Sequence, residues 1–204
     1  MNNQYPSSPG QQKSSLFSRF ILHIKLVVTT VCLWALCYSI NSVMKNSIAL
    51  EYDGGLTDST VSWDIMKTSG LKPYTAAYWK QLNSMAGEDP SKPVPGLMCV
   101  LAKFLGLKVH LICDREQEGG ETLRSTWKKT VSYIHFAPEP NDKYILLEKY
   151  RPFIYAASSD EGLAQAVKAG ITPIRIKRAA QTKIPGTYTP GKFGEKSIPL
   201  SHLH

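Results

Sequence analysis

Apolar residues follow two regimes along this chain. From Phe20 to Val43 they run almost without interruption, FILHIKLVVTTVCLWALCYSINSV, with no acidic residue and Lys25 as the one fixed charge. At 1.5 Å of rise per residue, Leu26 to Ile40 covers roughly 22 Å, and the residues from Phe20 onward bring it to roughly the 30 Å of a bilayer core. Soluble helices are striped, whereas Val27 to Ile40 offers no polar face beyond Thr29, Thr30, Tyr38 and Ser39. The pattern predicts a transmembrane helix over residues 17–44, with Leu26, Val27, Val28, Val31, Leu33, Trp34, Leu36 and Ile40 among the spanning residues. A cleaved signal peptide stays open, with Cys37 and Ser39 as a poor exit site. A lipoprotein anchor does not fit, because Leu36 precedes Cys37.

Beyond this run the apolar positions become periodic. Asp53-Gly54-Gly55 signals a turn within a connector over residues 45–57. A helix follows Asp58 or Ser59, with Val61 and Ile65 four apart and a stop at Gly70. A second helix aligns Tyr74, Tyr78, Leu82 and Met85 and ends near Gly87. After the proline-paced loop DPSKPVPG, a third helix carries the stripe Leu97, Val100, Leu101, Phe104 and Leu105, which reads as core. From Lys108 the period shortens toward two, predicting strands at 108–113, 130–136, 143–150 and 152–157. Ser158 and Glu161 have capping-box spacing for a helix reaching Gly170, and residues 171–176 look extended again, a strand–helix–strand crossover.

The predicted fold class is therefore α+β: an N-terminal transmembrane helix, then three helices packed on a mostly antiparallel sheet, closed by the strand–helix–strand unit. The globular domain spans residues 58–178. Residues 1–16, rich in Asn, Gln, Ser and Pro, read as a flexible cytoplasmic tail, and 179–204 as a basic irregular tail.

Composition changes this picture in two places. Of 204 residues 43% are hydrophobic, and the roughly 160 beyond the apolar run suffice to bury one core. The net charge of +8 is concentrated at the ends. Residues 1–50 carry Lys13, Arg19, Lys25 and Lys45 and no acid; Lys45 opposes the bias, yet Arg19 and Lys25 near the entry side place the N-terminus in the cytoplasm and the domain in a periplasm, lumen or extracellular space. The basic C-terminal tail suits anionic lipid, while the absence of aromatic–basic interleaving argues against nucleic acid.

Candidate chemistry is sparse. Cys99 with His135 or His110 is the best nucleophile–base pair, although Cys99 sits among Leu97, Val100 and Leu101, where a buried thiol is the simpler reading. Cys99 and Cys113 could instead form a disulfide in an oxidising compartment. His110 and Cys113 fall on opposite faces of a strand, so no metal site is expected. Gly54-Gly55 and Gly119-Gly120 lack the Lys and Ser/Thr of a phosphate loop, and no cofactor is expected either.

Over about residues 53–150 the order of elements, with the phrases LAKFLGLKVHLI and NDKYILLE, resembles the papain-like cysteine peptidases of the bacteriocin-processing and ovarian-tumour types. That resemblance implies a cysteine heading the first helix and a histidine opening a late strand. The chain has Leu56, Thr57 and Ser59 in the first place and Lys143 beside Tyr144 in the second, so the resemblance implies a scaffold without nucleophile or base. The reading is a type II, single-pass, non-catalytic protein-binding component of an envelope or secretion assembly, with membrane and envelope proteins and the bilayer as partners and oligomerisation open. The rivals are a membrane-tethered hydrolase using Cys99 and His135, and an anionic-lipid or nucleic-acid tether through the tail.

Overall fold

The computed structural model describes residues 21–36 and 46–204. The chain divides into two units, 1–42 and 43–204. In the first, residues 21–36 form helix α1, whose Thr29 and Thr30 hydroxyls donate to the carbonyls of Lys25 and Leu26. These 16 residues rise about 24 Å. Among the described residues no helix is long and apolar enough to cross a membrane. This corrects the expected transmembrane helix over 17–44, and the single-pass, type II reading built on it, as far as residues 21–36 reach; residues 17–20 and 37–44 lie outside the described residues. Leu26, Val27, Val28, Val31, Leu33, Trp34 and Leu36 lie on α1, while Ile40 and the tail at 1–16 lie outside the described residues.

The second unit is an α/β fold built on one parallel sheet. Its elements are β1 (Ser47–Glu51), α2 (Thr60–Thr68), α3 (Ala76–Ser84), a 3₁₀ turn (Met85–Gly87), α4 (Pro93–Phe104), β2 (Lys108–Cys113), α5 (Glu121–Trp127), β3 (Tyr133–Phe136), α6 (Pro140–Tyr150), β4 (Ile154–Ala157), α7 (Asp160–Lys168), β5 (Thr172–Arg175) and β6 (Lys196–Ser197). The sheet order is β3-β2-β1-β4-β5-β6, and every neighbouring pair is parallel. The expectation of a mostly antiparallel sheet is thus corrected.

Two misread segments account for the error. KYILLEKY alternates like a strand but forms most of α6, because Pro140 starts a helical turn and Lys143 and Leu147, four apart, share the buried face. The charged segment 114–129 contains α5 rather than a hairpin loop. β1 to β4 are each therefore followed by a helix, and a parallel neighbour needs such a crossover.

β1 was hidden for a related reason. It is buried on both faces, so SIALE shows no polar alternation. Ile48 and Leu50 pack with Val109, Leu111 and Cys113 against Cys99 and Ala102 of α4 and Leu123 and Trp127 of α5. Ala49, Ile112, Tyr155 and Ala157 face the other way, against Leu147 of α6 and Leu163 and Ala166 of α7.

The stripe on α4 is inverted relative to expectation. Leu97, Val100, Leu101, Phe104 and Leu105 are exposed, Phe104 at 86%, while the small Cys99 and Ala102 enter the core. Small side chains let this helix approach the sheet closely. Replacing Phe104 by Ser should change unfolding free energy by no more than about 0.5 kcal/mol. Leu111→Ala should cost about 2–5 kcal/mol, both read by urea denaturation.

A candidate active site at the strand ends

In an open parallel sheet, ligands bind outside the carboxyl ends of the strands where the chain departs in opposite directions. From β1 the chain proceeds to β2 and β3 on one side, then crosses to β4, β5 and β6 on the other. At that switch point lies a cleft of about 490 Å³, walled by Glu51, Asp53, Asp114, Lys143 and Ser159, with Ile184–Gly186 of the C-terminal segment across from them.

The turn after β1 has to be glycine. Gly54 has φ +70° and lies so close to Ser158 that a Cβ would stand 2.6 Å from its hydroxyl oxygen. A Cβ on Gly55 would be 2.1 Å from the Glu51 carbonyl oxygen. Lys92, fully buried, donates to the Gly54 carbonyl at 2.6 Å and to the Lys177 carbonyl at 3.1 Å, tying this turn to the segment after β5. Burial pushes the Lys92 ammonium down to about 8.

Glu51, at the end of β1, is fully buried. Its Oε2 accepts from the Ser158 amide at 2.7 Å, the Ser158 hydroxyl at 3.0 Å and the Ser159 amide at 2.9 Å. Oε1 accepts from the Ser159 hydroxyl and, at 3.5 Å, from Lys143 Nζ. Burial favours the neutral acid, yet the Lys143 charge and the serine hydrogen bonds outweigh it and hold the carboxyl below its ordinary range. These five donors fill the roughly four lone-pair positions of a carboxylate. Glu51 is an anchored anion.

Asp53 is equally engaged. Arg115 Nη2 donates to its Oδ1 at 2.6 Å and Nε to its Oδ2 at 3.0 Å, while the Ser59 hydroxyl and the Trp63 indole add donors at 2.6 and 3.1 Å. Arg115, fully buried, also reaches the Leu82 carbonyl at 3.1 Å and Asp89 at 3.4 Å. Despite burial, the guanidinium holds the Asp53 carboxyl low.

Asp114, just past β2, differs. Its Oδ2 accepts from Lys143 Nζ at 2.6 Å, but its Oδ1 is buried and has no partner. Close to a third of the side chain, 31%, opens to the cleft. Burial and the neighbouring Glu51 and Asp53 charges, opposed by Lys143, push this carboxyl up to about 7. It is poised to exchange a proton near neutrality.

A hard divalent cation takes six or more oxygen ligands. Here Arg115 already neutralises Asp53 and Lys143 stands between Glu51 and Asp114. Among the described residues no group of three or more His, Cys, Asp or Glu is placed to hold a metal. The donor set does not fit one.

The residues singled out by sequence lie elsewhere. Cys99 and Cys113 are buried free thiols in the core beneath the sheet, burial raising Cys99 to about 12. His135 is 2.9 Å from His110 and stacks among His110, Tyr133 and Tyr150, with burial pushing His110 down to about 4. None of these lines the cleft. The signal that was missed is a recurrence: the apolar run IAL ends in the acidic EYD, and HLIC ends in DRE, each a strand delivering carboxylates to its carboxyl end.

No protein-family model matches the sequence, and no curated protein matches it. Solved structures do match in fold. A dehalogenase superposes with a TM-score of 0.53 at 12% identity, covering 76% of this chain and 94% of its own. CbbY from Rhodobacter sphaeroides, in complex with phosphate, gives 0.53 at 14% identity, covering 77% and 95%. The L-2-haloacid dehalogenase from Xanthobacter autotrophicus, with chloropropionic acid covalently bound, gives 0.52 at 10% identity, covering 77% and 95%. The fold is thus shared with these three structures, and the papain-like resemblance is overturned. The expectation of a non-catalytic envelope scaffold is corrected with it, because the structures that share this fold include a dehalogenase and an L-2-haloacid dehalogenase with chloropropionic acid covalently bound.

Two outcomes follow from the charges. Arg115→Ala strands two buried carboxylates and should cost about 3–5 kcal/mol in chemical denaturation. Asp114 titrates at about 7 when folded against an ordinary 3.8, so the native state binds the extra proton. Its contribution is fully present below the unfolded value and is lost as pH rises through about 7. Asp114→Asn should flatten that slope in unfolding measurements between pH 4 and 8.

Proposed function

We propose that this chain is a hydrolase in which Asp114 is the proton-transferring residue. The observation that carries the reading is the contrast among three carboxylates at one switch point. Glu51 and Asp53 have their lone pairs filled, whereas Asp114 alone of the three keeps a partnerless oxygen and an affinity for protons matched to neutral pH.

The chemistry is an ester cleavage. Ionised Asp114 takes a proton from water as the water oxygen bonds to the electrophilic carbon or phosphorus. The bond to the leaving oxygen breaks, and that oxygen receives the proton back from Asp114. One water is consumed, giving one acid and one alcohol. Lys143 is a positioning residue: held by Glu51, it fixes Asp114 through Oδ2 and leaves Oδ1 free for the proton.

The haloacid dehalogenase neighbour carries its ligand covalently. Attack by Glu51 here would require breaking hydrogen bonds from two serine amides and two hydroxyls. Water activation by Asp114 requires none.

The test uses p-nitrophenyl acetate and p-nitrophenyl phosphate. Hydrolysis should rise with pH to a plateau above about 7, because the base must be ionised. Asp114→Asn should lose about 10²–10⁴-fold in kcat. Lys143→Met should shift the pH midpoint upward, since the opposing charge is gone. An unchanged rate in Asp114→Asn, or a covalent adduct on Glu51 by mass spectrometry, would overturn the assignment.

A further inference from the structure

The outer wall of the cleft is aromatic and acidic. Trp63, Tyr74 and Trp79 contribute to it. Tyr74 and Trp79 have ring centroids 5.8 Å apart, and Trp63 meets Trp79 edge-on at 6.3 Å. The Trp63 indole is fixed by its bond to Asp53. Tyr74 is 73% exposed and has φ +63°, a left-handed backbone unusual for an aromatic residue. The rim adds Glu116, Glu139 and Glu161.

The charges at this wall are one-sided. Glu116, Glu139 and Glu161 enter no ion pair among the described residues. Glu161 accepts from the Thr187 amide and hydroxyl through Oε1, and its Oε2 is buried with no partner. Both cations of the cleft are occupied by the protein itself. Lys143 pairs with Asp114 and Glu51, and Arg178 donates to the carbonyls of Ile184, Pro185 and Gly186 and to the Ser158 hydroxyl. An entering anion meets repulsion, while a cation meets the exposed Tyr74 ring, backed by the buried Trp79 and Trp63, and uncompensated carboxylates.

We propose that the ligand of this cleft carries an organic cation, an alkylammonium of the choline type, lodged against the exposed ring of Tyr74 with its charge balanced by Glu116, Glu139 and Glu161. The inference rests on reading the cleft as the active site, and it assigns the non-reacting end of the substrate. A cleft of about 490 Å³ suits a small molecule of this kind.

The test is a titration of the full chain with choline chloride and with tetramethylammonium chloride, followed by tryptophan fluorescence, with sodium phosphate at equal ionic strength as counter-probe. Saturable binding of both cations is expected, with none for phosphate. The double variant E116Q/E139Q and the variant Tyr74→Gly should each weaken choline binding at least fivefold. Tyr74→Gly relieves the left-handed backbone, so it removes the ring without threatening the fold. Absence of saturable cation binding, equal affinity in all three proteins, or saturation by phosphate instead would overturn the proposal. Binding is read without turnover, so the two readings fail separately. A protein that binds choline but hydrolyses neither nitrophenyl ester defeats the hydrolase reading alone, and one that hydrolyses them but ignores choline defeats the cation reading alone.

Discussion

The buried guanidinium of Arg115 is the constraint around which the site end of the fold is arranged. It stands just past β2 and grips Asp53 just past β1, so it joins the two strand ends whose pairing carries Glu51 opposite Ile112. It reaches Asp89 and the Leu82 carbonyl, and its Cζ lies 4.8 Å from the centroid of the Tyr52 ring. Asp89 in turn accepts from Tyr52 and Ser62, and Asp53 from Ser59 and Trp63. The helical segment after β1 is therefore oriented by polar contacts as much as by apolar ones. A buried ion of this kind is tolerable only when its donors are satisfied, and here each terminal nitrogen has an acceptor.

Beside this closed network lies an open one. Lys143 is a single ammonium set between two carboxylates, Glu51 and Asp114. Glu51 wins the competition because the serine amides before α7 and the two hydroxyls also favour its charge. Asp114 has no such second set of donors, and its proton affinity rises. Glu51, the last residue of β1, and Asp114, the residue after β2, thus acquire opposite characters from their surroundings. That asymmetry separates an anchor from a reactive group.

Much of the element sequence was legible. The helices near Asp58, Tyr74 and Pro93 and the unit from β4 through α7 to β5 follow from local spacing, although the cap of α7 is Ser159, whose hydroxyl accepts from the Gly162 amide, and not the expected Ser158. Strand direction was not legible, because KYILLEKY satisfies period two and helical spacing alike, and only the burial of Lys143 with Leu147 decides between them. β1 carried no alternation to read, being covered on both faces. The α4 stripe points the wrong way because apolar residues at helical spacing predict an inward face, whereas close approach to the sheet selects Cys99 and Ala102. The site was invisible for a different reason: Glu51, Asp114, Lys143 and Ser158 are brought together by parallel pairing of β1 with β2 and β4, which no local window records.

The segment following β5 crosses the mouth of the cleft at Ile184–Gly186, is stitched to α7 through Thr187 and Thr189, and is held to Arg175 by Glu195 before ending its pairing at β6. The opposite wall begins at Glu51. During synthesis from the N-terminus, the strands that carry the acids can pair long before their covering wall has left the ribosome. The cleft is therefore complete only once the chain beyond β5 has packed against α7, so its closure depends on residues far in sequence from the acids it covers.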